Sequence, residues 1–150
     1  MTIIGIDPGQ SGGVAVLASS GGVLWVEAYD HITPHEIARE LKTFVLAKAR
    51  LEQVGAFPGQ GVSSTWKFGQ NYGWWLGVLT ALEIPFERVT PLKWQTAMSC
   101  RTGGDKNVSK ARAQELFPGR KITHAIADAL LIAEYGRRLE MENAKTDKLH

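Results

Sequence analysis

Four side chains form a set able to bind a hard cation. Asp7 ends the apolar run Ile3-Ile4-Gly5-Ile6 and precedes a turn punctuated by Gly9, Gly12 and Gly13. Glu52 stands at the start of the segment Leu51 to Phe57. His124 and Asp128 are spaced i, i+4, which places them on one helical face about 5–6 Å apart at Cβ. The stretch from Ala125 to Ala133 around Asp128 is otherwise almost wholly apolar, so a carboxylate there needs a partner or a metal. Neighbouring carboxylates repel, and a cation between them removes the repulsion. Mg²⁺ accepts a few carboxylates while keeping waters that substrate phosphates can displace. Two such ions about 4 Å apart can activate a water and stabilise a leaving oxygen, as hydrolysis of a phosphodiester requires. Plainer readings stay open for each residue. Asp7 can satisfy backbone N–H groups of the turn, Glu52 can pair with Arg50, and His124 can bond a neighbour in the first helical turn. His31, His35 and His150 read as loop, helix start and tail, and no zinc-type ligand spacing is present.

These groups act together only if the fold brings them to one place. Thr2–Asp7, Val14–Ala18 and Val23–Tyr29 read as three strands joined by short glycine- and serine-rich loops, hence an antiparallel meander. Thr33-Pro34-His35-Glu36 is a helix start with a capping acid, and Ile37, Leu41, Phe44 and Val45 extend the helical period to Ala49. Leu51–Phe57 reads as the fourth strand, with Glu52 near its start or middle. Pro58-Gly59-Gln60-Gly61 breaks it, and Ser63-Ser64-Thr65 can cap a helix running to about Glu83. Phe86–Thr90 is the fifth strand. A short helix around Trp94, a Gly103-Gly104 linker, a basic helix over Lys106–Leu116 and a last helix over Thr123–Glu142 complete the chain. The crossover helix makes strand four parallel to strand one, so Asp7 and Glu52 can approach each other across a mixed sheet. This is an α/β chain: one domain over residues 1–142, then a polar tail at 143–150.

With 150 residues, 44% of them hydrophobic, the chain can build one core but hardly two. Its longest apolar stretches, such as Trp74 to Leu82, fall short of the roughly 20 residues of a bilayer span, and no secretory signal opens the sequence. The lone Cys100 excludes a disulfide framework, so a reducing cytoplasm is expected. Net charge is +2, but it is unevenly spread. Residues 1–59 stand at −2, residues 60–121 at +5 and residues 122–150 at −1. A basic middle suits a polyanionic partner, though a solvated basic face would look the same.

The block Gly5-Ile6-Asp7-Pro8-Gly9-Gln10-Ser11-Gly12-Gly13 resembles the first-strand motif of RuvC-like Holliday-junction resolvases, in the RNase H-like superfamily. Glu52-Gln53-Val54 with Pro58-Gly59-Gln60-Gly61-Val62-Ser63-Ser64 is similar to the second acidic motif of the phage and prophage branch. Ala127-Asp128-Ala129-Leu130-Leu131-Ile132-Ala133 is similar to the last motif. The resemblance, running from residue 2 to about 138, implies a five-stranded sheet in the order 3-2-1-4-5 flanked by helices. It also implies a homodimer that nicks opposing strands of a four-way DNA junction, with three-way and Y-shaped DNA as further substrates. By position, Asp7, Glu52 and Asp128 would be metal ligands, with His124 as ligand or base, holding Mg²⁺ or Mn²⁺, two ions per site. Cleavage would leave 5′-phosphate and 3′-hydroxyl ends, in a bacterial host's cytoplasm. One departure is that relatives often carry an acid three residues before the last Asp, where this chain has Ala125. His124, one residue earlier, can take that role, and an imidazole ligand tolerates Mn²⁺ well.

Against that likeness, the residues suited to DNA are Gln60, Trp66, Lys67 and Phe68 after the glycine-rich loop, then Lys93, Lys106, Lys110 and Arg112. The basic side chains can hold phosphates without reading sequence, and Trp66 or Phe68 can stack at an unpaired junction centre. Core or dimer interface is the plainer use of Trp66, Phe68, Trp74 and Trp75. The apolar, glycine-rich helix from Ser64 to Glu83 is the first choice of dimer surface. One domain of this size has room for one metal site, so paired nicking needs two copies. Two other classes compete. A sugar-kinase or actin-like ATPase needs a second domain and phosphate loop, which this chain lacks. A catalytically silent RNase H-like nucleic-acid-binding protein should have lost its motif acids, and three are retained.

Overall fold

A computed structural model describes residues 1–56 and 58–148. Five strands, β1 (Thr2–Asp7), β2 (Gly13–Ala18), β3 (Val23–Ala28), β4 (Ala47–Glu52) and β5 (Phe86–Val89), form one sheet in the order β3-β2-β1-β4-β5. β1 runs antiparallel to β2 and parallel to β4, and β4 runs parallel to β5. The mixed sheet and its order match the expectation.

Helices α1 (Pro34–Leu41) and α2 (Val62–Ala81) cover one face of the sheet. Their Ile37, Leu41, Trp75 and Leu79 pack with Ile4, Ile6, Val14, Val16 and Leu51. Helices α3 (Pro91–Ala97), α4 (Lys106–Leu116) and α5 (His124–Asp147) cover the other. There Trp94, Met98, Ala113 and Leu130–Ala133 pack with Ala15, Leu17 and Val89. Helix α5 lies directly on β1. A Cβ at Gly5 would collide with the backbone of Ala129 and Ala133, so only glycine permits this approach.

Several boundaries differ from the sequence reading. The capping box is present: Thr33 accepts from the Glu36 N–H at 3.3 Å and Glu36 accepts from the Thr33 N–H at 2.9 Å. However, α1 stops at Leu41 rather than Ala49, and β4 begins at Ala47 rather than Leu51. The chain reverses through residues 42–46, where Leu46 takes φ 53° and Phe44 stacks on Trp25 at 6.5 Å. Ala47-Lys48-Ala49-Arg50 are strong helix formers, and pairing between two parallel neighbours overrides that preference. Gln53 onward leaves the strand, and Phe57 lies outside the described residues. Helix α2 starts at Val62 with Gly61 at its cap and no side-chain cap bond, so the Ser63-Ser64-Thr65 cluster lies inside it. β3 ends at Ala28, and Tyr29–His31 form a 3₁₀ turn. Helix α5 continues to Asp147, through residues read as tail; His150 lies outside the described residues. Among the described residues, no helix is long and apolar enough to cross a membrane.

Candidate active site

The revised start of β4 moves Glu52 to its C-terminal end. The register pairs Ile6 with Leu51, so Asp7 and Glu52 end adjacent parallel strands at the same level. Both are buried, at 9% and 8% exposure. Asp128 sits in the second turn of α5, whose first turns lie against the β1–β2 turn: a Cβ at Gly13 would stand 2.8 Å from the Ala125 carbonyl. Three carboxylates thus converge from β1, β4 and α5.

Each acid has its own support. Asp7 Oδ1 accepts from the Gly9 N–H at 3.0 Å, so the plainer turn reading of Asp7 also holds. The backbone around Asp7 is braced by Tyr29, whose hydroxyl lies 2.5 Å from the Asp7 carbonyl and 2.9 Å from that of Gly13. The Asn71 amide on α2 donates to the Pro8 carbonyl in the same turn. Glu52 Oε1 accepts from the Trp94 indole N–H at 2.8 Å. It does not pair with Arg50, which instead bonds Glu140 at 2.9 Å. Asp128 Oδ1 is buried with no hydrogen-bond partner.

Burial and mutual repulsion dominate the electrostatics. Burial pushes Asp7 from 3.8 to about 6, against the Gly9 hydrogen bond and with the help of Asp128. Burial, then the charge of Asp7, pushes Glu52 from 4.5 to about 8. Asp128 is raised by burial, with Ser109, Lys106 and His124 opposing. The opposing charge of Lys106 does not offset burial and mutual repulsion, so protonation is favoured, and a cation among the acids would reverse that preference.

The remaining candidates are placed unevenly. Lys106, the first residue of α4, acts electrostatically on all three acids; from sequence it read only as a phosphate contact. His124, the first residue of α5, is exposed, and its charge reaches Asp128. Lys93 is exposed on α3 and Lys110 is half-buried one turn after Lys106. Arg112 is committed elsewhere: it donates to the Met98 carbonyl and to Glu115, both at 2.9 Å, tying α4 to the end of α3. Trp66 is 68% exposed and, with Gln60, Val62, Thr65, Gly69 and Gln70, lines a groove of ≈ 510 Å³. Phe68 is half-buried and Lys67 exposed. Lys67 joins Gln10, Tyr29, Asn71 and Trp74 around a cleft of ≈ 460 Å³ beside the Asp7 turn. Trp75 is fully buried, and Trp74 packs edge-on against it at 4.8 Å, which assigns Trp75 to the core. Sequence reasoning missed Trp94, Ser109, Tyr29 and Asn71 as supports of the site, because each acts through a contact remote in sequence.

The arrangement matches known folds. The structure of Thermus thermophilus RuvC in complex with a Holliday junction substrate superposes with a TM-score of 0.69. The superposition covers 94% of this chain and 96% of that one at 18% identity. A second T. thermophilus RuvC structure gives 0.64 at 19% identity, over 95% and 97% of the two chains. The fold is that of RuvC. Within it, β1, β4 and α5 are the elements that bring the acids together. In sequence, the chain is 33% identical over 84 residues to the chloroplastic Holliday junction resolvase MOC1 of Chlamydomonas reinhardtii. That match covers 52% of this chain and 10% of the relative's length. No protein-family model matches.

Carboxylate oxygen is the donor type that a hard divalent cation prefers. Three carboxylates, one with a buried oxygen lacking any partner, are held against their own repulsion. As they are placed, and among the described residues, no group of three or more His, Cys, Asp or Glu side chains is arranged to hold a metal ion. An ion that keeps several waters and takes its remaining ligands from a substrate phosphate needs fewer protein ligands than such a group supplies.

Proposed function

We propose that this chain is a metal-dependent endodeoxyribonuclease that resolves Holliday junctions and other branched DNA. The observation that carries the reading is the convergence, on a RuvC fold, of buried Asp7 and Glu52 with half-buried Asp128, none of them in a salt bridge among the described residues. Asp7, Glu52 and Asp128 would hold Mg²⁺ or Mn²⁺, two ions per site, with His124 at the exposed edge as a further ligand or base. Bound there, divalent ions would supply the charge that activates a water and stabilises the leaving oxygen. Lys106 faces the acids from α4 and would neutralise the incoming phosphate. Lys93 and Lys110 would hold flanking phosphates, while Trp66, Lys67, Phe68 and Gln60 offer a surface to the junction centre.

Paired nicks require a homodimer, and α2 is the surface we assign to it. Gly69, Gly73 and Gly77 recur every fourth residue with nothing within 4 Å of a Cβ added at any of them, and Val62 and Trp66 are exposed on the same helix. The nuclease domain would comprise residues 1–142, and the setting would be the cytoplasm of a bacterial host, for a phage or prophage protein.

The test incubates the protein with labelled four-way, three-way, Y-shaped and linear DNA, with Mg²⁺, Mn²⁺ or EDTA. Symmetric nicks in four-way DNA, lost in EDTA and in Asp7→Asn, are expected. Junction binding without cleavage under every metal condition would favour the catalytically silent alternative; cleavage surviving EDTA would overturn the metal mechanism.

A further inference from the structure

We propose that Trp94 is a positioning residue for Glu52: its indole N–H holds one carboxylate oxygen in place and leaves the other to the cation. This rests on the reading of Asp7, Glu52 and Asp128 as cation ligands. Glu52 is the one long acid of the three, with an extra rotatable bond to be immobilised before it can serve as a ligand. Its Oε1 receives the Trp94 N–H at 2.8 Å. The donor cannot wander, because the Trp94 side chain is fully buried in the core beneath α5.

The local chain path explains the pairing. Val89 of β5 is the register partner of Glu52, and its carbonyl accepts from the Gln53 N–H at 2.7 Å. Helix α3 starts at Pro91, capped by Thr90. Trp94, one turn in, is therefore returned to the strand end it left. An indole donates and cannot accept, so it orients the carboxylate without competing for the cation. Outer partners of this kind typically govern affinity for the metal.

The experiment uses the full chain, wild type and Trp94→Phe, titrated with Mn²⁺ by electron paramagnetic resonance. In parallel, the indole N–H resonances of ¹⁵N-labelled protein are followed in EDTA, with Mg²⁺ and in Glu52→Gln. Trp94→Phe keeps an aromatic ring and loses the donor; it is expected to bind Mn²⁺ about 10–100-fold more weakly. One of the five tryptophan resonances should vanish in Trp94→Phe, move in Glu52→Gln and move with Mg²⁺ in wild type. Equal Mn²⁺ affinity in wild type and Trp94→Phe would overturn the positioning role and leave the ligand reading intact. Absence of Mn²⁺ binding by wild type would overturn both. Should Trp94→Phe not fold, the wild-type resonance decides: if it does not respond to Glu52→Gln, the indole does not hold the acid.

Discussion

Helix α5 carries buried or half-buried acids at two places, and the fold treats them in opposite ways. Near its start, Asp128 faces Asp7 and Glu52, and all three are pushed toward protonation by burial. Further along, Glu140 bonds Lys48 at 2.7 Å and Arg50 at 2.9 Å, and Lys48, then Arg50, hold it below its ordinary range. Glu134 takes Arg137 at 2.7 Å and Arg138 at 2.8 Å; burial pushes it up, but the two arginines outweigh burial. Strand β4 shows the same division: Lys48 and Arg50 serve the paired end, and Glu52 the unpaired one. The chain can neutralise buried carboxylates and does so where they only hold the structure. Leaving three without a salt bridge where β1, β4 and α5 meet is a cost that a bound cation would remove.

The largest effect should separate the two ends by activity. Asp7→Asn, Glu52→Gln and Asp128→Asn are each expected to lower junction nicking on the order of 10²–10³-fold, measured under single-turnover conditions. Glu140→Gln should leave that rate near wild type. A comparable loss in Glu140→Gln would break the contrast.

Stability should show the reverse. Glu140→Gln leaves Arg50, whose side chain is 5% exposed, short of its main counterion, and should cost about 3 kcal/mol in urea unfolding. Asp7→Asn and Glu52→Gln should be neutral or stabilising without metal, since each removes a disfavoured charge.

The pH dependence sharpens this further, with opposite signs. An acid with a raised folded-state value binds its proton more tightly when folded, so its contribution to stability falls as pH rises. In EDTA, stability should therefore decline as pH climbs from 3.8 to about 6 for Asp7 and from 4.5 to about 8 for Glu52. The decline should be on the order of a few kcal/mol, and Mg²⁺ or Glu52→Gln should flatten it. Glu134 and Glu140, held low, contribute stability that is full above 4.5 and lost as pH falls through their folded-state values. A metal-free protein with flat stability between pH 5 and pH 8 would contradict the uncompensated cluster.

The smallest effect concerns Lys106, the cation facing the acids. It is exposed, so Lys106→Met should change stability by no more than about 0.5 kcal/mol. It should also reduce the salt slope of junction binding by about 1. A large loss of stability would make Lys106 a structural partner, like Arg50 at the other end.

Much of this was legible in the residues themselves. The apolar run into Asp7, the glycine turn, the Thr33 capping box and the i, i+4 pair on α5 are local patterns, and local patterns survive folding when nothing opposes them. β4 was the exception. Ala47 to Arg50 favour a helix and became a strand because β1 and β5 supplied hydrogen-bonding edges on both sides. That shift decides where Glu52 lies, and therefore whether it meets Asp7 at the same level of the sheet.

From sequence alone came the four candidate residues, the mixed sheet, the uneven charge and the likeness to RuvC. Only the tertiary structure decided which acids stay unpaired, that Arg50 serves Glu140 rather than Glu52, and that Trp94, forty-two positions away, holds Glu52. The reason is physical. Residue type and spacing set local backbone preference, whereas the partner of a buried charge depends on which distant groups the sheet register and helix packing place within hydrogen-bonding reach.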